Sequence, residues 1–330
     1  MNYKKIILSV IIITIIIEIL VFPGEAMSYA ATGLTLWFNN MIPALFPFMV
    51  LSGLIIRLDL APSILAFLHP VMYKIFRTNI YCEYAILMGF LCGYPMGAVI
   101  IKDLLTQDKI TLKQADYLLS FCNNIGPVFF CSLVLPIFES EYHKILLFGM
   151  YGIPLLYGLF LRYTFFRKAF QVKTPEQSVK KHITPTQQDT TTFTIAFTDS
   201  LNQAVSASLL LGACMIFFNM LRFLPMHYCK DNILVSAILS WLLEVNGALF
   251  MTKDLYEYGL KMTSLLLVPF LTVGGLSCLC QTVGILSSTR CNILKYLLHK
   301  SIQWLIWLIV TLLWLLTDIL RQFYVWSAVA

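Results

Sequence analysis

The residues best placed for chemistry in this chain are amides, hydroxyls and one carboxylate, set among helix breakers inside apolar runs. In the first half, Gly93-Tyr94-Pro95-Met96-Gly97 is followed by Ser120-Phe121-Cys122-Asn123-Asn124-Ile125-Gly126-Pro127. In the second, Glu244-Val245-Asn246-Gly247 is followed by Gly274-Gly275-Leu276-Ser277, with Gln281 one turn further on. Lipid cannot satisfy backbone groups freed by Gly or Pro, so breaks at membrane depth persist where they line a protein-enclosed cavity. A half-helix that starts at such a break points free N–H groups and a positive dipole end at a ligand. The chemistry this suits is reversible binding of a small polar solute. No nucleophile–base arrangement or Walker loop occurs, and His69, His143, His182, His227 and His299 are far apart in sequence. No enzymatic activity is expected.

Each break carries a plainer alternative. Pro95 removes a donor and disfavours helix just before itself, so Gly93-Tyr94-Pro95 ends one half-helix, and Gly97 lets the next approach a neighbour closely. The alternative is a simple kink. Asn123 and Asn124 put donors and acceptors beside Gly126 and Pro127; the alternative is an interfacial turn with Pro127 in an ordinary first helical turn. Glu244 is the only carboxylate in the middle of an apolar segment of the second half. Such an acid faces the bundle interior with a partner, here Asn246 or Gln281, unless it serves only a structural hydrogen bond. Gly274-Gly275 breaks a helix and sets Ser277 and Gln281 one turn apart, or serves close packing alone.

A membrane bundle must hold these residues. Only 12% of the 330 residues are charged, 59% are hydrophobic and the mean hydropathy is +0.79. That composition requires a polytopic chain in the lipid bilayer. The net charge of +6 falls in short loops, which reads as membrane topology and not as a nucleic-acid surface. Nine cysteines lack metal-ligand spacing, so no metal is expected. The run 6–22 behind Lys4 and Lys5 is longer than a signal-peptide core, although Ser28-Tyr29-Ala30 resembles a cleavage site. A retained first helix is expected, with Glu18 turned to protein or interface.

Further apolar segments fall at 41–56, 82–101, 122–138, 145–161, 203–221, 232–250, 262–286 and 301–320. They divide the chain into an N-terminal transmembrane helix at 1–30, a first repeat at 31–164, a polar cytoplasmic linker at 165–195, a second repeat at 196–320 and a tail at 321–330. Leu36-Trp37-Phe38-Asn39-Asn40 and Phe197-Thr198-Asp199-Ser200-Leu201-Asn202-Gln203 read as amphipathic lead-ins at the interface. Charge then decides the crossings. A full crossing by 82–101 puts Lys102, Lys109, Lys113 and the basic linker outside, whereas a re-entrant hairpin turning near Gly93-Tyr94-Pro95 keeps them inside. With 232–250 also re-entrant, Arg290, Lys295 and Lys300 fall inside, and Arg222, Lys230, Lys253 and Lys261 outside. The expected fold is an all-α polytopic bundle of two inverted repeats with broken, re-entrant helices and a midplane site.

At these four islands the chain resembles the sporulation integral membrane protein family known as YlbJ or SpoVV, which carries nucleoside-recognition Gate repeats. The resemblance spans about 35–300 and is densest at Gly93-Tyr94-Pro95-Met96-Gly97-Ala98 and Ser120–Pro127. It implies an endospore-forming bacterium and transport of a small metabolite, dipicolinic acid, across the outer forespore membrane. Dipicolinate is a dianion, and no Arg or Lys is expected deep in an apolar segment. Recognition would then rest on half-helix ends with Asn123, Asn124, Ser277 and Gln281, and Glu244 would be a coupling site for H⁺ or Na⁺. A nucleoside-type transporter and a non-transporting scaffold for spore-envelope assembly are the alternatives.

Overall fold

A computed structural model describes residues 3–170 and 189–329, with side-chain burial given for 3–170 and 193–317. Most of the linker expected at 165–195, with His182, lies outside the described residues. Among those described there is no strand, and five helical stretches are long and apolar enough to cross a membrane: Pro23–Arg57, Ser140–Tyr163, Phe193–Tyr228, Lys261–Leu286 and Ile293–Thr317. The protein is an all-α, multi-pass integral membrane protein.

Two long helices form its spine. The helix that opens at Pro23 runs through a π-helical turn at Trp37–Met41 to Arg57, and its counterpart runs Asp189–Leu221. Both supposed interfacial lead-ins are therefore interior turns of long helices. Their amides gave a surface-like pattern, but tertiary contacts hold them in line. Trp37 Nε1 donates to Ser208 O at 2.9 Å, and its indole lies where a side chain on Gly212 would sit. Glu25 meets His227 at 3.1 Å near one end, while Arg57 donates to Ser200 Oγ at 3.3 Å and to Gln203 at the other. The two helices are thus antiparallel.

The apolar segments 82–101 and 232–250 are each split in two. Ile80–Cys92 and Met96–Thr106 fold back on one another, as do Ile233–Leu243 and Val245–Glu257. The longest of these half-helices has 13 residues, about 20 Å of rise against a hydrocarbon core of about 30 Å, so none spans alone. Asn79 and Asn232 cap the first arms through Cys82 N at 2.8 Å and Val235 N at 3.1 Å. The base of the first hairpin sits where Tyr81 and Lys109 meet Asp59, at the Arg57 end of the spine. The base of the second sits at the opposite end, where Ser236 donates to Pro225 O at 3.2 Å.

The remaining elements repeat one order in both halves. Leu112–Leu119, a break, and Pro127–Ile137 precede Ser140–Tyr163; Lys261–Thr272, a break, and Gly275–Leu286 precede Ile293–Val329. The tail expected at 321–330 continues that last helix to Val329. Two of the four basic residues expected outside have an acidic partner: Lys253 lies 3.7 Å from Glu257, and Lys261 pairs with Glu139.

Candidate functional site

The hairpin tips and the two other breaks meet in the middle of the bundle because glycines let backbone touch backbone. Gly93, at φ +84°, lies so close to Gly126 that an added Cβ would sit 2.2 Å from Gly126 N. One turn on, a Cβ at Gly97 would come within 2.7 Å of Cys122 O. The second half repeats the contact: Gly275 faces Trp241 O at 2.9 Å from its Cβ position, just before the Glu244 break. Between halves, the Tyr94 hydroxyl donates to Thr272 O at 2.6 Å, and its ring abuts Gly274. Tyr94 and Ile125 accordingly pack in one apolar cluster with Trp241 and Val245.

Around this junction is a cavity of about 650 Å³, a volume typical of small-molecule sites. Its polar lining is Asn39, Asn40, Tyr94, Ser132, Asn246 and Gln281, with Leu91, Cys92, Gly126, Val128, Leu211 and Cys278 among the apolar wall. Tyr94, Gly126, Asn246 and Gln281 therefore reach it directly. Asn123, Asn124 and Ser277 are fully buried one layer behind, as are Gly93, Pro95, Gly97, Gly247 and Gly275, which shape the backbone. Pro127 and Gly274 likewise act through geometry, opening the helices Pro127–Phe129 and Gly275–Leu286.

The buried amides tie the halves together. Asn123 Nδ2 donates to Thr282 Oγ1 and to the Tyr296 hydroxyl, both at 3.2 Å. Gln281 Nε2 donates to Ser277 Oγ at 3.1 Å, the one-turn pairing expected from their spacing. Asn123 Oδ1 and Gln281 Oε1 are buried without a hydrogen bond among the described residues; satisfied interiors leave few such acceptors. Glu244 is wholly buried, and its Oε1 accepts from Asn246 N at 2.9 Å and Asn246 Nδ2 at 2.7 Å. It is the N-cap of Val245–Glu257, so that helix's positive end already faces a carboxylate. Met96–Thr106 and Gly275–Leu286 start with no side-chain cap, so the first-turn N–H groups at these breaks have no such partner.

One expectation fails outright: basic side chains do lie deep in the bundle. Lys300 is 1% exposed, donates to Asn124 Oδ1 at 2.7 Å and lies 5.4 Å from the Tyr94 ring centroid. Arg222 is 4% exposed, donates to Asn219 Oδ1 at 3.0 Å and is a close charged neighbour of Glu244. Both read as loop residues because Arg222 directly follows the apolar run 203–221 and Lys300 directly precedes the run 301–320. A signal was available for Lys300. Tyr296, Lys300 and Gln303 recur at i, i+4 and i+7, a polar stripe on one face of an apolar helix, and all three are buried against Ser120–Asn124. Asn39 and Asn40 were also missed as site residues. The π turn rotates them to the cavity, and π turns recur at functional sites.

No group of His, Cys, Asp or Glu among the described residues could hold a metal ion. What the arrangement can do is hold a small solute against amides and a phenol.

Fold and site thus define a polytopic α-helical membrane protein with two helical hairpins whose tips meet beside a cavity. Among characterised proteins, the chain is 31% identical over 126 residues to the sporulation integral membrane protein YlbJ of Bacillus subtilis (strain 168). That match covers 38% of this chain and 31% of the relative, so the two align over about a third of their lengths. No family model and no solved structure matches the chain.

Proposed function

We propose that this protein is a membrane transporter of a small polar or anionic metabolite, acting in sporulation. The carrying observation is that breaks from both halves meet around one cavity, with hairpins entering from opposite ends. Such hairpins can move against the rest of the bundle to expose a central site alternately to each side. The partial likeness to a sporulation membrane protein supplies the cellular setting. On the family resemblance the cargo is dipicolinic acid and the membrane is the outer forespore membrane, with the basic end of the bundle on the cytoplasmic side. In this reading the two halves are inverted repeats, consistent with their antiparallel long helices. Glu244 is the coupling site for H⁺ or Na⁺, since its Oε2 is buried without a hydrogen bond of ordinary geometry and Ser277 and Arg222 are its polar neighbours.

A nucleoside cargo is the second reading, favoured by the neutral amides Asn39, Asn40, Asn246 and Gln281 on the wall. Vesicles carrying only this protein separate the readings. Uptake of labelled dipicolinate that exceeds empty vesicles and is not competed by uridine supports the first. Uptake of uridine alone supports the second, and uptake of neither leaves the scaffold alternative.

A further inference from the structure

The least explained group in the molecule is the Lys300 ammonium. The other buried charged side chains among the described residues meet an opposite charge, a polar side chain or, for Arg162, a carbonyl and aromatic rings. Glu83 is 2.7 Å from His69. Asp103 accepts from Gln203, which in turn binds Arg57. Arg162 donates to Arg77 O and lies 4.4 Å from the Phe170 ring, and Glu244 has Asn246 and Arg222. Lys300 has three donors and one hydrogen bond, to a neutral amide oxygen. Among the described residues no carboxylate pairs with it; the titratable groups that face it are Cys122, Cys278 and Tyr94. Isolating an ammonium costs several kcal/mol, so stability does not account for it.

Its position does. Asn124, its acceptor, directly precedes Ile125 and Gly126 of the cavity wall, while Tyr94 and Cys278 are wall residues themselves. The ammonium therefore stands one side-chain layer behind the wall. The uncapped start of Met96–Thr106 follows Tyr94, and the Tyr94 ring abuts Gly274 at the uncapped start of Gly275–Leu286. The ammonium and the start of Met96–Thr106 thus lie beside Tyr94, whereas Glu244 neighbours Ser277 in the first turn of Gly275–Leu286 and Asn246 is on the cavity wall. From this geometry we propose that Lys300 sets the charge selectivity of the cavity, its ammonium neutralising a carboxylate of the cargo bound against Tyr94.

The proposal rests on the cavity being a solute site and names the residue that decides between anionic and neutral cargo. A carboxylate about 7 Å from Nζ, at an effective dielectric near 20, gains roughly 50-fold in affinity from the charge. The test is binding to the purified full chain of pyridine-2,6-dicarboxylate and of its uncharged diamide. The wild type is compared with Lys300→Arg, Lys300→Met and Lys300→Gln, the last retaining a donor for Asn124. Dicarboxylate affinity should fall roughly 50-fold in Lys300→Met and Lys300→Gln and remain within about fivefold in Lys300→Arg, while diamide affinity is unchanged. A purely structural lysine would shift both ligands alike, and that result overturns the proposal. So does a folded Lys300→Gln that keeps wild-type dicarboxylate affinity, or a wild type that binds no carboxylate. Dicarboxylate binding that depends on Lys300 without vesicle uptake would sink the transport reading alone; uptake indifferent to Lys300 would sink this one alone.

Discussion

Glycine-to-alanine substitutions measure the close meeting of the breaks, because the structure separates two costs. At Gly93 both apply: φ is +84°, and an added Cβ would lie 2.2 Å from Gly126 N and 2.7 Å from its Cα. At Gly259 only the backbone cost applies, since φ is +86° and a Cβ meets nothing. At Gly97 only the clash applies, at 2.7 Å from Cys122 O and 2.9 Å from Asn123 Oδ1. At Gly24, inside a helix with open space around it, neither applies. A left-handed backbone costs a residue with a Cβ about 1–2 kcal/mol, and overpacking costs about 1–3 kcal/mol. The expected losses are therefore about 1–2 kcal/mol for Gly259→Ala, about 1–3 for Gly97→Ala and about 2–5 for Gly93→Ala. Gly24→Ala, in the first turn of its helix, should change stability by about 0.5 kcal/mol or less. At about 2 °C per kcal/mol for a chain of this size, Gly93→Ala should melt about 4–10 °C lower in thermal unfolding of the purified protein. Solute binding should weaken in Gly97→Ala and Gly93→Ala but not in Gly259→Ala. A Gly93→Ala melting point at or above that of Gly259→Ala would refute the argument that the first hairpin is seated on the second break.

Asp59 accepts from Lys109 at 2.7 Å outside the spans; burial pushes its carboxyl up, but the hydrogen bonds from Lys109 and Tyr81 outweigh it and leave the pKa lowered. A depressed folded pKa stabilises above the unfolded value near 3.9 and is lost as pH falls through the folded one. Asp59→Asn, tolerated at the positive φ of 55°, should cost about 1 kcal/mol or less at pH 7 for so exposed a pair, and the cost should shrink as pH falls through the lowered carboxyl pKa; a cost that does not shrink on acidification would contradict this. Asn246→Cys, half-buried on the cavity wall, should react with a hydrophilic thiol reagent and be protected by dicarboxylate, whereas Ser277→Cys, 0% exposed, should resist; equal labelling would place the cavity wrongly. Glu244→Gln keeps the Oε1 acceptor for Asn246, so the protein should fold while uptake loses its dependence on pH or Na⁺; an unchanged dependence removes Glu244 as the coupling site.

Much of the bundle could be read without coordinates, because lipid penalises the same features everywhere. Low charge and long apolar runs required a polytopic helical chain, and Gly93, Pro95, Gly126, Pro127 and Gly274 marked breaks, since only such residues leave a helix cheaply. The spacing of Ser277 and Gln281 alone set their hydrogen bond. Boundaries were less legible where polar residues sat inside long helices. Trp37–Asn40 looked interfacial until its contact with Ser208 and Gly212 held it in a continuous helix.

Local sequence thus determined which residues interrupt the helices and which carry amides there, for those are properties of a few consecutive side chains. Only tertiary structure decided what those interruptions face. Burial of Lys300 and Arg222, the rotation of Asn39 and Asn40 to the cavity, and the contact of Tyr94 with Thr272 all depend on helices far apart in the chain. A charged residue beside an apolar run is equally at home in a loop or a core until its neighbours are placed, and it is those neighbours that set the sign of the charge beside the cavity.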